Sequence, residues 1–236
     1  MQIVYLIPSL LQEDGTDAIP PYVLDAISDC QIFFVENERT TRRYFKQLWK
    51  TFRPEGSFVI DDHEWHVIDN GASPAFRLAL GSGKNIGIVS EAGCPGVADP
   101  GQTLVGIAQK MNITVRPLVG PSSILLALMA SGMNGQQFHF AGYLPIENED
   151  RAKAIKELET ASSKKNCTEI FIETPYRNNQ LLETLLRCCT DTTRICVAVD
   201  ITGKNEWIKT LPVADWKKRS LNIHKKPAIF LLYAGQ

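Results

Sequence analysis

The sequence predicts an α/β fold of two domains. Short apolar runs alternate with longer amphipathic stretches along the chain, which is the pattern of strands separated by helices. The run Ile86–Val89 is apolar throughout, as expected for a strand inside a parallel sheet that is covered on both faces. The 236 residues exceed a typical domain of about 150 residues. No repeat, low-complexity segment or long linker interrupts them, so we expect two closely packed domains.

In the first half, apolar runs that predict strands alternate with stretches that predict helices. Strands are predicted over Ile3–Ile7, Ile32–Val35, Ile86–Val89 and Ile113–Leu118. Helices are predicted from Pro20 to about Ser28 and over Arg39–Trp49, Gln102–Met111 and Ser122–Ala130. Proline suits the first turn of a helix, which places the first helix start at Pro20 and Pro21. Either Ser122 or Ser123 is expected to cap the last of these helices.

The second half mixes helices with strands that are expected to pair antiparallel. Strands are predicted over Phe138–Leu144, Glu169–Glu173, Ile195–Asp200, Trp207–Leu211 and Ala228–Tyr233, and helices over Glu147–Ala161 and Asn178–Cys188. Pro145 ends the first strand, and we place the domain boundary near it. The expected domains are therefore residues 1–143 and 144–236, with a ligand crevice where they pack together.

Charge, cysteines and histidines exclude several classes of protein. Lys and Arg number 25 against 26 Asp and Glu, for a net charge of about −1, which gives no support for strong non-specific nucleic-acid binding. The six cysteines form no CxxC pair, and His63 and His66 lack a third ligand nearby, so no metal site is predicted. The N-terminus lacks the basic start of a signal peptide, and no apolar run reaches the roughly 18 residues of a membrane span. We expect a cytoplasmic protein with reduced thiols.

The segment Ser90–Gly101 is the strongest candidate for a ligand-binding loop. It follows a predicted buried strand, precedes a predicted helix and is rich in glycine and proline. Glycine allows close approach of a ligand to the backbone, and open α/β sheets bind ligands at the carboxyl ends of their strands. The loop matches neither GxGxxG nor GxxxxGK[ST], which argues against a standard Rossmann dehydrogenase and against an NTPase.

Two shorter clusters also follow predicted strands. Val119–Ser123 joins a strand to a helix, where free N–H groups hold a carboxylate or simply cap the helix; the residues alone leave both readings open. Glu173–Arg177 follows another strand. Its Glu173 and Arg177 form either a surface ion pair or part of a substrate site in the crevice.

Four motifs, in this order and spacing, resemble the tetrapyrrole methylase superfamily: SEAGCPGVADPG (90–101), GPSS (120–123), FAGYLP (140–145) and ETPYR (173–177). They are most similar to its ribosomal RNA branch, the small-subunit rRNA cytidine 2′-O-methyltransferases, which typically show SDAGTP…DPG, PGPSA, GFLP and ESPHR. The resemblance implies two α/β domains with S-adenosylmethionine in the cleft between them, S-adenosylhomocysteine as product, and ribosomal RNA or the small ribosomal subunit as partner. Family members commonly form homodimers, so a homodimer is implied here too.

The chain departs from the rRNA branch at polar positions. Glu91 stands for Asp, Cys94 for Thr and Tyr176 for His. The segment after the first strand lacks the glycine-asparagine of a GNLxD-like motif. Because these positions are suited to touching substrate, cofactor binding is better supported than the rRNA substrate. The resemblance therefore predicts a divergent, shorter member of the branch.

The matched motifs imply a set of site residues. Cofactor contacts are implied for Pro8, Glu91, Ala92, Gly93, Cys94, Pro95, Gly96, Ser122, Ser123, Glu173, Thr202, Pro227 and Ala228. Substrate contacts are implied for Arg39 and Arg177. Removal of a proton from a ribose 2′-OH calls for a base, and the carboxylates on matched motifs are Glu36, Glu91, Asp99 and Glu173. We favour Glu36 or Glu173.

Other interpretations stay open at this point. A methyltransferase for a small molecule such as a tetrapyrrole would share the fold, and a non-catalytic module would bind S-adenosylmethionine without transferring its methyl group. Arg39, Arg42 (or Arg43) and Lys46 share one helical face that suits RNA phosphates, although a solvated charged face is the commoner explanation. Trp49 and Trp65 would stack on bases or, more simply, pack in the core.

Overall fold

The computed structural model describes residues 1–56, 58–69 and 71–235. In chain order, its strands and α-helices are β1 (Ile3–Ile7), α1 (Val23–Asp29), β2 (Ile32–Val35), α2 (Glu38–Phe52), β3 (Glu64–Val67), α3 (Ala72–Leu80), β4 (Ile86–Val89), α4 (Gly101–Lys110), β5 (Thr114–Pro117), α5 (Ser123–Ser131), β6 (Phe138–Tyr143), α6 (Asn148–Lys165), β7 (Thr168–Ile172), α7 (Asn178–Cys188), β8 (Arg194–Val199), β9 (Trp207–Pro212), α8 (Val213–Trp216) and β10 (Ala228–Tyr233). The predicted α/β class is confirmed.

The first compact unit, residues 1–122, is built on a parallel sheet of order β3-β2-β4-β1-β5. Its central strands β2 and β4 are buried along their whole length, because apolar side chains from helices on both faces cover them. At Gly87 in β4 an added Cβ would lie 2.7 Å from side-chain atoms of Ile7 and Phe33. Glycine therefore lets the large apolar side chains of the neighbouring strands close over the middle of the sheet.

All strands of a parallel sheet end at one edge, which decides where the site of this unit lies. The registers place Ile7 opposite Val89, Val35 opposite Val89, and Leu6 opposite Pro117. The segments that follow β1, β2, β4 and β5 therefore emerge side by side. This is the edge at which open α/β sheets bind ligands.

The second compact unit, residues 123–236, contains a mixed sheet of order β6-β7-β10-β8-β9. β6 pairs with β7 in parallel, and the other pairs are antiparallel, which confirms the antiparallel pairing expected for this half. Because β10 runs against both β7 and β8, its first residues lie beside the last residues of these two strands: Ile229 is opposite Ile172 and Ala228 is opposite Val199.

The division between the units falls at residues 122 and 123, about twenty residues before the expected boundary at 143 and 144. Two elements between these positions pack with the second unit: α5 contacts β8, β9 and β10, and β6 pairs with β7. Three elements were also absent from the sequence expectations: β3, α3 and α8. β3 is an edge strand of four residues, none of them fully buried, and its polar–apolar alternation is too short to predict a strand.

Candidate active site

The Ser90–Gly101 loop is tied to the segment that follows β1. The backbone N–H of Ser9 donates to the carbonyl of Gly93 at 2.8 Å, and the N–H of Gly93 donates back at 3.2 Å. The Ser9 hydroxyl also donates to the carbonyl of Ser90 at 2.6 Å. Gly93 has φ +75°, a conformation that favours glycine. These bonds hold the loop backbone in a defined shape at the edge of the sheet.

Close packing joins the segments after β1 and β5. A Cβ at Gly120 would lie 2.0 Å from the Cβ of Pro8, so only glycine fits against this proline. The Tyr44 hydroxyl donates to the Pro8 carbonyl at 2.7 Å. The Cys94 sulfur lies 3.5 Å from the carbonyl oxygen of Pro121, and burial raises the pKa of its thiol. Cys94 therefore packs as a protonated thiol between two loops.

Asp99 organises the far end of the loop. Its Oδ1 accepts hydrogen bonds from the backbone N–H groups of Gly96 at 2.8 Å and Gly101 at 2.9 Å. Burial raises the pKa of Asp99, and these backbone bonds oppose the rise. Gly96 has φ +83°, and nothing lies within 4 Å of the position of an added Cβ. The backbone at Gly96 is therefore open to a ligand, while Asp99 itself is occupied in holding the loop.

Glu36 lies directly after β2 and contacts the same loop. Its Oε1 accepts a 2.8 Å hydrogen bond from the backbone N–H of Glu91. Burial raises the pKa of Glu36 and the nearby charges of Asp99 and Glu91 add to the rise, while the Glu91 N–H opposes it. The Glu91 carboxylate accepts from the hydroxyl of Thr40 at the start of α2. Glu36 thus combines a fixed position with a pKa above the usual glutamate range, as suits a general base.

A cavity of about 230 Å³ opens beside Glu91. Its walls come from the segment after β1, from one face of α2 and from the loop after β4: Ser9, Leu10, Leu11, Gln12, Glu13, Thr40, Thr41, Arg43, Tyr44, Gln47, Ser90, Glu91 and Ala92. Pockets for whole drug-sized ligands usually measure about 300–1,000 Å³. At about 230 Å³ the cavity is smaller than these pockets.

In the second unit, Glu173 follows β7 and is buried, with 5% of its surface exposed. Its Oε1 accepts from the Nε of Arg177 at 3.0 Å, from a terminal nitrogen of Arg177 at 2.6 Å and from the backbone N–H of Thr174 at 2.6 Å. Burial alone would raise the pKa of Glu173, but the bonds from Arg177 and Thr174 outweigh it and lower the pKa. The ion pair foreseen as one alternative for Glu173 and Arg177 is therefore present, with a buried carboxylate.

Backbone and side-chain bonds hold three further segments at the edge of the sheet where β7 ends. The N–H of Asp200, after β8, donates to the carbonyl of Pro227 at 3.0 Å. The side-chain amide of Asn178, at the start of α7, donates to the carbonyl of Lys226 at 2.7 Å. Thr202 has φ +69°, unusual for a β-branched residue. The predicted residues Thr202, Pro227 and Ala228 thus lie in segments linked to the one that carries Glu173.

The basic face of α2 is partly neutralised. Arg42 pairs with Glu38 at 2.8 Å and Asp61 at 2.6 Å, and Arg43 pairs with Glu13 at 2.7 Å. Among residues 1–56, 58–69 and 71–235, no acidic partner lies within ion-pair distance of Arg39 or Lys46. Arg39 and Lys46 are therefore the basic side chains of this face that are not engaged in ion pairs and could bind a phosphate.

The two tryptophans considered for base stacking pack inside the first unit. Trp49 stacks on Phe58 with ring centroids 4.2 Å apart, and Trp65 stacks on Phe33 at 4.8 Å. The Trp65 indole N–H donates to the Ile60 carbonyl at 3.2 Å. Both rings therefore stabilise the core, as the simpler interpretation holds.

The described part of the chain contains neither a metal-binding cluster nor a membrane-spanning helix. Within it, no group of three His, Cys, Asp or Glu side chains is placed to hold a metal ion. His66 instead lies 2.7 Å from Glu64 and stacks on Phe34. None of the helices in these ranges combines the length and apolar character needed to cross a bilayer.

A family model for tetrapyrrole (corrin/porphyrin) methylases matches residues 14–216. The chain belongs to this family. It is 29% identical to the ribosomal RNA small subunit methyltransferase I of Vibrio cholerae serotype O1, over 98% of this chain and 77% of the relative. The motif resemblance is thereby confirmed, and the chain is a methyltransferase.

Solved structures share the fold of this methylase. Diphthine synthase superposes with a TM-score of 0.65 at 13% identity, covering 99% of this chain and 90% of its own. The methyltransferase CobJ superposes with a TM-score of 0.58 at 18% identity, covering 98% of this chain and 92% of its own. At such identities the likeness establishes the two-sheet α/β fold alone.

The methylase brings together most of the predicted residues of its first unit. Pro8, Glu36 and the 91–96 loop share the edge of the parallel sheet. Ser122 and Ser123 lie where the two units divide. Arg39 is the second residue of α2 and takes no part in the Glu36–Glu91 contact.

Three residues escaped the sequence reasoning: Ser9, Thr40 and Asn178. Ser9 and Thr40 act on the backbone and side chain of the 90–101 loop from distant positions in sequence, and no local pattern marks such bonds. Asn178 had a usable signal, because it directly follows the ETPYR motif at a predicted helix start.

Proposed function

We propose that this methylase transfers a methyl group from S-adenosylmethionine to a ribose 2′-hydroxyl of small-subunit ribosomal RNA. The observation that carries the proposal is Glu36, a carboxylate of raised pKa that the ligand-facing loop holds by a 2.8 Å bond. The curated relative of Vibrio cholerae is named a ribosomal RNA small subunit methyltransferase, which supports rRNA as the acceptor.

The residues after β4 fit the bound cofactor. The loop presents backbone around Ala92 and Gly96, and Gly96 leaves open space where a side chain would stand. S-adenosylmethionine supplies a methyl group already activated by a positively charged sulfur. Cofactor contacts from Pro8 and Ser122 in the first unit, and from Ser123, Thr202, Pro227 and Ala228 in the second, stay predictions.

Glu36 is the better base of the two favoured carboxylates. A base must be able to take up a proton near neutral pH, which a raised pKa assists. The pKa of Glu173 is lowered, and one of its oxygens already accepts three hydrogen bonds. We propose that Glu36 takes the proton of the acceptor hydroxyl as the oxygen bonds to the methyl carbon and the carbon–sulfur bond breaks, with S-adenosylhomocysteine as the leaving group. Glu173 then has a binding role.

We place the acceptor nucleotide next to the cavity beside Glu91. Glu91 lines the cavity, and its backbone N–H is the group that holds Glu36. Arg39 and Lys46 on α2 retain charge for nearby phosphates. Arg177, paired with Glu173, stays a predicted substrate contact.

We also propose a homodimer that works on rRNA in the cytoplasm. Exposed apolar side chains support self-association: Leu125 and Met129 on α5 are 50% and 77% exposed, and Phe138 on β6 is 43% exposed. Sedimentation at several protein concentrations tests it, with a species of twice the chain mass expected and a monomer throughout contradicting it.

Methyl transfer to competing acceptor classes tests the proposed function. Labelled S-adenosylmethionine is supplied with small ribosomal subunits from cells that lack this gene, with the naked rRNA, and with a mixture of tetrapyrroles. Label in the RNA alone supports the proposal. Label in the tetrapyrroles alone would assign a small-molecule methylase, and cofactor binding without any transfer would assign a non-catalytic module.

A further inference from the structure

Another cavity lies in the second unit, where helix α6 faces the edge strand β6. Within the sheet, α6 packs chiefly on β7 and β10, so a gap is left beside the outer strand. The cavity measures about 460 Å³, within the range of about 300–1,000 Å³ that is usual for small-molecule sites. Its apolar lining residues are Ala141, Leu144, Pro145, Ala154, Leu158 and Ala161.

One wall of this cavity carries a buried carboxylate. Glu169 in β7 lies opposite His139 in β6 in the strand register, and its side chain is only 3% exposed. Its Oε2 lies 2.7 Å from the Nδ1 of His139. Within residues 1–56, 58–69 and 71–235, no donor bonds to its other oxygen, Oε1. Because a carboxylate oxygen accepts hydrogen bonds and does not donate them, Oε1 offers an acceptor to a ligand in the cavity.

The carboxylate also sets the charge of the cavity. Glu157 and Lys165, which line it from α6, are exposed and opposite in sign, so solvent screens them and they largely cancel. Burial, and then the charge of Glu169, raise the pKa of the Cys167 thiol, while the charge of Lys165 opposes the rise. Cys167 therefore lines the cavity as a neutral group, and the buried negative charge of Glu169 is left without a compensating charge from these neighbours.

We infer that this cavity binds a small organic cation, an ammonium group on an apolar body. The ammonium donates to Oε1 of Glu169, and the body packs against the apolar walls. A buried carboxylate with an unused oxygen costs free energy, which a cationic donor offsets. An anion would be repelled by Glu169, and a neutral alcohol would supply a donor without the charge.

This site is separate from the one proposed for methyl transfer. Glu169 lies four residues before Glu173 along β7 and its end, which corresponds to about 13 Å of extended chain. The apolar lining comes from β6, from the segment that follows it and from α6. The inference therefore does not rest on the proposed function, and it stands or falls by ligand binding alone.

Three probes of similar size and different charge test the inference: phenethylamine, phenethyl alcohol and phenylpropanoate. Each is titrated into the full ¹⁵N-labelled chain at about pH 8, where histidine side chains are ordinarily neutral, and amide shifts give the affinity and the location. We expect the amine to bind about tenfold or more tighter than the alcohol, the anion to bind most weakly, and the shifts to centre on residues 139–145 and 154–169.

Variants assign the preference to the carboxylate. In Glu169→Gln the amine and the alcohol should bind with equal affinity, whereas Glu183→Gln, at an exposed carboxylate on α7, should keep the preference of the wild type. Ala161→Phe places a ring in the cavity and should abolish binding of the amine. Thermal melting identifies an unfolded variant. If Glu169→Gln does not fold, Ala161→Phe decides, and if neither folds, the shifts of the wild type decide.

Several results would overturn the inference. Equal affinity of the wild type for amine and alcohol would show an apolar cavity without charge selectivity. Tighter binding of the anion, no binding of the amine, or shifts centred outside residues 139–145 and 154–169 would exclude a cation site here. A folded Glu169→Gln protein that keeps the preference for the amine, or a folded Ala161→Phe protein that still binds it, would exclude Glu169 and its cavity as the site.

Discussion

The carboxylate of Glu36 accepts a 2.8 Å hydrogen bond from the backbone N–H of Glu91. The proposed general base therefore also links the end of β2 to the loop after β4. Glu36 lies 55 residues from Glu91 in sequence, and only the parallel pairing of β2 with β4 places them side by side. The bond fixes one oxygen of Glu36, while burial and neighbouring charges raise the pKa of the group.

Replacement of Glu36 by Gln tests its role as base. The amide oxygen of Gln still accepts from the Glu91 N–H, so the loop keeps its shape while the proton acceptor is lost. The methyl-transfer rate is expected to fall by about 10²- to 10⁴-fold, with S-adenosylhomocysteine affinity within twofold of wild type. Glu55→Gln, at an exposed carboxylate in the same unit, is the control and should keep the full rate. A Glu36→Gln enzyme as fast as this control would remove Glu36 from the chemistry.

The raised pKa of Glu36 predicts how the rate depends on pH. A base acts in its ionised form, so kcat/KM should fall as pH decreases through the folded-state pKa of Glu36, which lies above the usual value of about 4.3. This fall at low pH, the acid limb of the profile, should be absent from the residual activity of Glu36→Gln. A pH profile of kcat/KM for both proteins checks this, and an acid limb that is identical in the variant would show that another group titrates.

The contact of Pro8 with Gly120 predicts a steric effect. In Gly120→Ala the new Cβ would meet the Pro8 ring at 2.0 Å, so the segments after β1 and β5 must move apart. We expect the free energy of unfolding to fall by about 1–3 kcal/mol and cofactor binding to weaken with it. Gly106→Ala is the control, because nothing lies within 4 Å of a Cβ added there in α4, and it should stabilise by about 0.5–1 kcal/mol. Equal stabilities by urea denaturation would contradict the packing argument.

Arg39 is expected to bind RNA phosphate. It has no acidic partner among the described residues, whereas Arg42 is engaged by Glu38 and Asp61. Arg39→Ala should weaken RNA binding and reduce the slope of log affinity against log salt by about 1. Lys50→Ala, at the last turn of the same helix, should leave the slope unchanged. Fluorescence anisotropy with labelled rRNA at several salt concentrations separates these outcomes.

The sequence predicts those strands and helices whose apolar residues follow a clear pattern. β4 and α7 begin and end at the predicted residues, because continuous apolar burial marks the strand and amphipathic spacing marks the helix. The edge strand β3 carries Glu64 and His66 and shows no continuous apolar run, and the sequence pattern predicts neither this strand nor helix α3, which follows it.

The sequence predicts which residues form the site, but it does not predict the hydrogen bonds between them. The motifs contain Glu36, Glu91 and Glu173, but the hydrogen bonds that separate a raised pKa at Glu36 from a lowered one at Glu173 depend on three-dimensional neighbours. The bridge of Ser9 to Gly93 is made by backbone atoms alone, which every residue possesses. The division of the chain at residues 122 and 123 has the same origin, because it depends on long-range contacts of α5 and β6 with the strands of the second sheet.

Methyl transfer with analysis of the RNA product tests the central claim most directly. Small ribosomal subunits from cells without this gene are incubated with the protein and labelled S-adenosylmethionine, and the rRNA is then hydrolysed with alkali. A 2′-O-methyl group blocks cleavage of the adjacent phosphodiester, so the proposed reaction leaves the label in an alkali-resistant dinucleotide. Label released in mononucleotides would contradict the ribose acceptor, and RNA without label, from a protein that binds the cofactor, would contradict the rRNA substrate.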